Sequence, residues 1–333
     1  METLSSLDKP RGWISVGTTG SATVRRCIRS LAIDGRLPDA TRDRAILVAT
    51  ELATNLERHA TGGELFIAVA GEGYDILSID RGPGIEDMEK ALTAGYSTAG
   101  GLGEGLGVLQ RQSDSVEIRT SSEGTIIRAR VGPAGREDAD WAVVERAYPR
   151  GYETGWSCPS GDGWKVAETP DHYYVLLVDA LGHGGRAAAS ARAALEARVF
   201  PGSPEEILRA AAAGIGTTRG AVGAALRIDR QSWMVEASIV GNIAVRVEGP
   251  THPHRVAARD GILGPRLPTL RTETFPLPRR HTLLVHSDGI SARRRVPVPA
   301  TVTPLLHAAL LYRAGARSTD DACVLALRLG AEQ

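Results

Sequence analysis

The chain has 333 residues, 42% of them hydrophobic, which is enough to form the cores of two domains of about 100–200 residues each. Lysine plus arginine and aspartate plus glutamate both number 39, so the formal net charge is zero, and broad electrostatic binding to nucleic acid or an anionic membrane is not expected. There is no apolar run of about 18 residues, no apolar N-terminal leader and no zinc or disulfide pattern among the three cysteines, so we expect a cytoplasmic protein without a membrane span.

The hydrophobic pattern of the first part of the chain predicts a mixture of helices and strands. The predicted helices cover residues 21–33 and 39–60, with a third beginning near 107, and the predicted strands cover residues 12–20, 65–70, 74–79, 115–120 and 125–131. Residues 133–140 are polar and contain both glycine and proline, so we predict a linker there. The linker separates a domain at 12–132 from a second domain at 141–330.

The second part of the chain is dominated by strand-like runs with helices grouped between them, which indicates sheets covered by helices. The predicted strands cover residues 141–147, 173–179, 221–228, 233–239, 243–247, 282–286 and 322–329, and the predicted helices cover residues 185–199, 204–213 and 303–314. Residues 248–280 and 292–302 are rich in proline and arginine and are predicted to be loops. For the whole chain we predict the α+β class.

The stretch from Asp80 to Gly107 has the densest glycine pattern. Asp80 ends a predicted strand, and Gly82 and Gly84 allow a turn where a side chain would clash. A second group, consisting of Gly100, Gly101, Gly103, Gly105 and Gly107, allows several backbone N–H groups to converge on one anion. This stretch is therefore predicted to hold a nucleotide.

Three polar side chains on the predicted helix at 39–60 have helical spacing. Glu51, Asn55 and His59 stand four residues apart and so share one face of the helix. For Glu51 and Asn55 a solvated face is the alternative to a functional site. For His59 capping or packing at the helix end is favoured.

These segments resemble the GHKL ATPases, and among them the small serine kinases that switch bacterial sigma-factor and stressosome regulation. The resemblance covers residues 20–131 and rests on Glu51-Leu52-Ala53-Thr54-Asn55, Asp80-Arg81-Gly82-Pro83-Gly84-Ile85, Gly95-Tyr96-Ser97-Thr98, Gly100-Gly101-Leu102-Gly103 and Gly124-Thr125. It implies a GHKL (Bergerat) α/β sandwich that binds ATP with magnesium.

The same resemblance implies a role for each matching residue. Asn55 would hold magnesium, Asp80 would accept the adenine amino group, and Glu51 would be the catalytic base for an incoming hydroxyl. The rest of the nucleotide site would comprise the turn glycines Gly82 and Gly84, the lid residues Gly101, Gly103, Gly105 and Gly107, and Thr125 beside the adenine. Ser97 and Thr98 are either lid hydroxyls on phosphate or turn formers.

Four aspartates of the second part are interpreted as lying at the ends of strands: Asp179, Asp288 and Asp320 border predicted strands, and Asp162 stands in the segment Ser160-Gly161-Asp162-Gly163. One Asp-Gly turn is ordinary loop chemistry. Four carboxylates that converge on one end of a sheet repel each other unless cations hold them together. A site for hard metal ions is the economical interpretation.

This part resembles the metal-dependent PPM phosphatases of the SpoIIE-like branch. The matching segments are Gly161-Asp162, Asp179 with Leu181-Gly182-His183-Gly184, Thr218-Arg219-Gly220-Ala221, Val240-Gly241-Asn242, Gly261-Ile262-Leu263-Gly264, Ser287-Asp288-Gly289 and Asp320-Asp321. The resemblance implies a β-sandwich flanked by helices, and two manganese or magnesium ions held by Asp162, Asp179, Asp288, Asp320 and the carbonyl of Ala180. Ala180 and Cys323 depart from the family, which usually has Gly and Thr there. Arg219 either binds the phosphoryl group or braces the sheet.

Together the two resemblances imply a bifunctional bacterial regulator, a serine/threonine kinase fused to a serine/threonine phosphatase. The expected partner is a STAS-domain anti-sigma antagonist or a stressosome-type scaffold protein, or a sigma factor. One alternative is that the first domain binds ATP only to sequester a partner without phosphorylating it. Another is that the phosphatase acts on a small metabolite, and an apolar docking surface around Asp162 and Asp179 would argue against that.

Overall fold

The computed structural model describes most of the chain. The described residues are 2–5, 14–16, 24–26, 28–29, 37–60, 62–70, 72–88, 105–133, 140–148, 159–198, 200–216, 218–251, 253–296 and 302–328. The structure is 28% helix and 37% strand, which confirms the predicted α+β class. None of the helices in these ranges combines the length and the apolar character that crossing a membrane requires.

The chain divides into two compact units. The first unit is Pro10–Asp138, and the second combines Met1–Lys9 with Ala139–Gln333. The N-terminal strand β1 (Glu2–Ser5) belongs to the second unit, because it pairs with a strand that begins at Asp162. The sequence pattern did not predict this strand.

The first unit is one antiparallel sheet with helices on one face. Its strands are β2 (Ile14–Val16), β3 (Glu64–Ala70), β4 (Gly73–Ile79), β5 (Ser115–Ser121) and β6 (Gly124–Val131), in the sheet order β2-β3-β4-β6-β5. Among the described residues, 24–26 and 28–29 are helical, and two longer helices follow, α1 (Asp39–His59) and α2 (Gly105–Gln112). A buried stripe along α1, including Val48, Leu52 and Leu56, packs against the inward residues of the sheet, such as Ile76. This is the helical period that the sequence predicted.

The second unit is a sandwich of two antiparallel sheets. The further strands are β7 (Trp141–Arg146), β8 (Asp162–Glu168), β9 (His172–Ala180), β10 (Ala221–Asp229), β11 (Met234–Val240), β12 (Ala244–Glu248), β13 (His254–Arg255), β14 (Thr272–Pro276), β15 (Thr282–His286) and β16 (Ala322–Arg328). The sheet orders are β1-β8-β9-β10-β11-β14 and β13-β12-β15-β16-β7. Inward side chains of both sheets, among them Trp164, Leu177, Val285 and Leu325, share one core. The predicted sandwich is therefore present.

Helices cover both outer faces of this sandwich. They are α3 (Gly185–Glu196), α4 (Pro204–Ile215) and α5 (Pro304–Gly315). The alanine-rich α3 and α4 pack on the six-stranded sheet, and α5 contacts β7 and β16. Helix α4 begins with a capping box between Ser203 and Glu206, and Thr303 caps α5. The order of layers is helix, sheet, sheet, helix.

The secondary structure of the second unit differs from the sequence-based prediction in two places. No strand was predicted at 162–168, although β8 pairs with β9 along its whole length. The predicted loop at 248–280 contains β13 and β14. In β14 only Phe275 is buried, so this edge strand has too little apolar alternation to be recognised in the sequence.

Candidate functional sites

The carboxylate of Asp80 is oriented by main-chain hydrogen bonds. Its Oδ1 atom accepts from the N–H of Gly82 at 2.7 Å and from the N–H of Thr125 at 3.1 Å, and its own N–H donates to the carbonyl of Thr125 at 2.9 Å. No partner of its Oδ2 atom is found within the described ranges. Oδ1 therefore fixes the side chain, and the role of Asp80 toward the adenine amino group stays a prediction.

Two glycines allow the strands around Asp80 to approach each other closely. Gly84 has a φ of +84°, and a methyl group on it would lie 2.2 Å from the carbonyl oxygen of Ser121. Gly124 has a φ of +125°, and a methyl group there would lie 2.1 Å from the carbonyl oxygen of Asp80. Any other residue would force these segments apart, since both positions combine the left-handed region with contact to the backbone.

Two threonine hydroxyls connect the turn after Asp80 to the β5–β6 hairpin. The N–H of Ile85 donates to Oγ1 of Thr120 at 2.7 Å, and the hydroxyls of Thr120 and Thr125 are 3.2 Å apart. Thr125, which the resemblance placed beside the adenine, thus bonds to Asp80 through its main chain and to Thr120 through its side chain. Its role toward a nucleotide stays a prediction.

The C-terminal end of α1 lies against the same turn. A methyl group on Gly82 would be 3.2 Å from the carbonyl oxygen of His59. Glu51 and Asn55 stand two turns and one turn earlier on α1, both half-buried, whereas His59 is exposed. Their partial burial differs from the full exposure expected of a solvated helix face. Their roles as base and magnesium ligand stay predictions.

The predicted lid is only partly covered by the structure. Ser97, Thr98, Gly101 and Gly103 lie outside the described residues. Gly105 is the first residue of α2, and Gly107 lies in its first turn, where a methyl group would be 3.1 Å from Nη1 of Arg111. An α-helix N-terminus presents unpaired N–H groups, which is what a phosphate requires.

In the second unit the folded chain brings four predicted metal ligands to one end of the sandwich. Asp162 at the start of β8 is the register partner of Asp179 near the end of β9. Asp288 follows β15 and Asp320 precedes β16, its neighbour in the other sheet. The four aspartates therefore come from two strand pairs in opposite layers.

Asp162 is buried and is held by a residue from the opposite sheet. Its Oδ2 atom accepts from the hydroxyl of Ser287 at 2.6 Å, and that hydroxyl accepts from the N–H of Cys323 at 3.1 Å. Burial, followed by the negative charge of Asp179, raises the pKa of Asp162 well above its usual value, while the bond from Ser287 opposes this shift. The sequence analysis assigned no role to Ser287.

Asp179 is also crowded by negative charge. Burial, then the charges of Asp288, Asp320 and Asp321 and a hydrogen bond with Asp288, raise the pKa of Asp179 to about 8. The Nδ2 group of Asn242 donates to Oδ2 of Asp288 at 2.7 Å. A hydrogen bond between two carboxyl groups requires one shared proton.

Asp321 positions the loop that leads into Asp162. Its Oδ1 and Oδ2 atoms accept from the N–H groups of Tyr148 and Gly161, each at 2.6 Å. Asp320 instead accepts from the N–H of Asp321 at 3.0 Å, and burial followed by the charge of Asp288 raises the pKa of Asp320. The adjacent Asp-Asp pair was visible in the sequence, but nothing there indicated that the second carboxylate accepts hydrogen bonds from main-chain N–H groups.

The donor set was tested against the predicted metal ions. Within the described ranges, no group of three or more His, Cys, Asp or Glu side chains has the geometry to coordinate a metal ion. The negative charges of the cluster are nevertheless close enough to contribute to the raised pKa values of Asp162, Asp179 and Asp320. All are hard oxygen donors, and a hard cation bound among them would relieve the repulsion that helps to raise the pKa of Asp179. The residues fit divalent ions in chemistry, and the ligand assignment, including the carbonyl of Ala180, stays a prediction.

Comparison with known sequences gives two findings. The family model described as histidine kinase-like ATPase domain matches residues 18–131. The serine/threonine-protein kinase RsbT of Bacillus subtilis (strain 168) is 36% identical over 91 residues, which are 26% of this chain and 68% of that kinase.

Comparison with solved structures gives likenesses at lower identity. One, from work on the bacterial stressosome as a modular system adapted to control secondary messenger signalling, is 28% identical and covers 56% of this chain and 98% of its own, with a TM-score of 0.49. Another, containing the PP2C phosphatase domain and a fragment of the regulatory domain of SpoIIE from Bacillus subtilis, is 14% identical and covers 94% of this chain and 96% of its own, with a TM-score of 0.46.

Proposed function

The chain belongs to the histidine kinase-like ATPase family through its first unit, and on that premise we propose that this unit phosphorylates a serine or threonine of a partner protein while the second unit removes such phosphates. The observation that carries the second half of the proposal is the convergence of four aspartates on one end of the sandwich, where Asp162 faces Asp179 in register and negative charge contributes to the raised pKa values of both. One chain then both phosphorylates the partner protein and hydrolyses the phosphate from it.

In the first unit, Asp80 accepts the adenine amino group through Oδ2 while Gly82 and Thr125 hold Oδ1. Asn55 holds the magnesium ion that accompanies ATP, and Glu51, one turn earlier on α1, accepts the proton of the incoming hydroxyl. Because phosphoryl transfer depends mainly on positioning and charge neutralisation, a rigid turn and a helix end that meet at Gly82 suit this task.

In the second unit, Asp162, Asp179, Asp288 and Asp320 hold divalent magnesium or manganese. Such ions supply positive charge for the phosphate and lower the pKa of a water molecule. Two of these ligands are oriented by hydrogen bonds: Ser287 donates to Asp162, and Asn242 donates to Asp288. Supporting bonds of this kind orient carboxylate ligands and strengthen metal binding.

The partner that fits both activities is a STAS-type regulatory protein of a partner-switching system. A phosphate adds a charge of about −1.5 to −2, which is enough to disrupt a contact between proteins. Joining both enzymes in one chain raises their effective concentration on the same partner.

The proposal is tested by incubating the purified full chain and a STAS-domain protein with radiolabelled ATP and magnesium, then with manganese. We expect label to enter the STAS protein and then to leave it as inorganic phosphate. Glu51→Gln should abolish labelling, and Asp162→Asn should make the label persist. If Glu51→Gln leaves labelling unchanged, Glu51 is not the base. A STAS protein that binds the chain but is never labelled would instead support sequestration.

A further inference from the structure

Few large apolar side chains are exposed in the described part of the chain, and two of them are close in sequence or by hydrogen bonding to the strand ends that carry the aspartate cluster. In the described ranges they are Leu47, Leu181, Met234 and Ile262, with 37% to 40% of their surface accessible. Leu181 comes two residues after Asp179, and Ile262 precedes Leu263, which bonds to Ala221 at the start of β10. Scattered exposed leucines need no explanation, but a pair at a proposed active site does.

The two side chains flank a position without a side chain. The N–H of Leu181 donates to the carbonyl of Gly220 at 3.0 Å, and a methyl group on Gly220 would lie 3.1 Å from Cδ1 of Ile262. Gly220 has a φ of +92°, so the turn itself requires glycine. Leu181, through its main chain, and Ile262, through its side chain, therefore both lie against Gly220, and both side chains are exposed.

A cation stands beside these residues. The side chain of Arg219 is exposed, and its Nη1 atom would lie 3.3 Å from a methyl group on Gly182, three residues after Asp179. Within the described residues, Arg219 makes neither an ion pair nor a side-chain hydrogen bond. A guanidinium of this kind is available to a dianionic group, and it binds phosphate oxygens well because of its planar fork of donors.

We propose that Leu181, Ile262 and Arg219 form the docking surface for a phosphorylated protein segment. Arg219 contacts the phosphate of a phosphoserine or phosphothreonine, and Leu181 with Ile262 packs against an apolar side chain next to it. This inference rests on the proposed phosphatase activity and adds the residues that recognise the segment around the phosphate. A small phosphorylated metabolite supplies the charge but no neighbouring apolar side chain, so it uses only half of the surface.

The test compares three substrates with the full chain in manganese. They are p-nitrophenyl phosphate and two phosphoserine peptides that differ only in having leucine or serine beside the phosphoserine. We expect the wild type to favour the leucine peptide in kcat/KM by about tenfold, the effect of burying part of one leucine side chain. The double variant Leu181→Ser with Ile262→Ser should reduce this ratio to near one.

Two further variants separate docking from a general loss of structure. Met234→Ser is the matched control, because Met234 is equally exposed but lies at the other end of β11 from Asn242, about 20 Å along the strand. It should leave the peptide ratio unchanged. Arg219→Ala should raise KM for both peptides more than it lowers kcat, and Arg219→Lys should restore part of the loss.

The outcomes distinguish this inference from the proposed function. If no substrate is hydrolysed, the proposed phosphatase activity fails. If p-nitrophenyl phosphate is hydrolysed but the wild type does not distinguish the peptides, or the double variant retains their ratio, the docking surface is refuted. A double variant that changes the sedimentation coefficient of the chain but not the peptide ratio would show that a second copy covers these residues, which also overturns the inference.

Discussion

The two candidate sites are built in opposite ways. Around Asp80, the first unit uses main-chain N–H groups and glycines from neighbouring strands to orient one carboxylate. The second unit gathers several carboxylates whose charges oppose each other, and it joins segments as far apart as Gly161 and Asp321. The first site depends on backbone conformation and the second on compensated charge. Substitutions should therefore affect the first site mainly through backbone strain and steric contact, and the second mainly through electrostatic repulsion.

The largest expected effect follows from removing one of the opposing charges. Asp179→Asn should lower phosphatase activity by more than about 100-fold, because a metal ligand is lost. The same substitution should raise the melting temperature in EDTA at pH 9, because Asp179, whose pKa is raised to about 8, is then ionised in the wild type and adds its charge to the cluster. Thermal unfolding and hydrolysis of p-nitrophenyl phosphate measure the two effects. A variant that loses both stability and activity would contradict the description of this site as charge-strained.

The next effect tests the dependence of the first site on backbone conformation. Gly124→Ala should abolish ATP binding and destabilise the first unit by about 2–4 kcal/mol, because its methyl group meets the carbonyl oxygen of Asp80 at 2.1 Å. Gly62→Ala is the control. Gly62 has a φ of +68° but nothing within 4 Å of the added methyl group, so the cost should be about 1 kcal/mol with ATP binding intact. Equal losses in the two variants would show that strain alone, without the contact to Asp80, explains the result.

The same contrast explains which parts of the two sites could be predicted from the sequence. The turn at Asp80 was recognisable because its carboxylate, glycines and strand end are adjacent in the chain. Asp179, Asp288 and Asp320 could be named because each borders a predicted strand, whereas Asp162 was named from its Gly-Asp-Gly segment and the family resemblance. Ser287 and Asp321 were not assigned roles, since their hydrogen bonds connect residues 125 and 160 positions apart. Strand β8 was also missed, because Gly163 replaces an apolar residue where α3 packs closely through Leu195.

Ser287→Ala sharpens the comparison within the second unit. It removes the hydroxyl that donates to Asp162 and accepts from Cys323. We expect metal affinity to fall by about 10–100-fold, with a smaller change in kcat at saturating manganese. Isothermal titration calorimetry with manganese measures this directly. Unchanged affinity would mean that Asp162 does not require its partner from the opposite sheet.

The smallest expected effect concerns acid sensitivity, which should arise in the second unit. His307 is 2% exposed and faces Glu248, Arg246 and Arg328, and burial is the main cause that lowers its pKa. Only the unfolded chain then takes up the proton below pH 6.5, so stability present above that pH is lost as the pH falls.

His307→Gln should remove this loss, which amounts to at most about 1.4 kcal/mol per pH unit. Urea unfolding of the wild type and the variant between pH 5 and pH 8 measures the difference. The first unit provides the contrast, since its single histidine, His59, is exposed. Parallel pH profiles for wild type and variant would refute the role of His307.

The most direct test of two separate sites measures both activities in the same preparations of the full chain. Binding of a fluorescent ATP analogue and hydrolysis of p-nitrophenyl phosphate are compared for the wild type, Gly124→Ala and Asp162→Asn. The account predicts that Gly124→Ala loses nucleotide binding but hydrolyses phosphate, and that Asp162→Asn does the reverse. If either variant loses both activities, or if Asp162→Asn still hydrolyses phosphate at the wild-type rate, the assignment of the two chemistries to these two sites is contradicted.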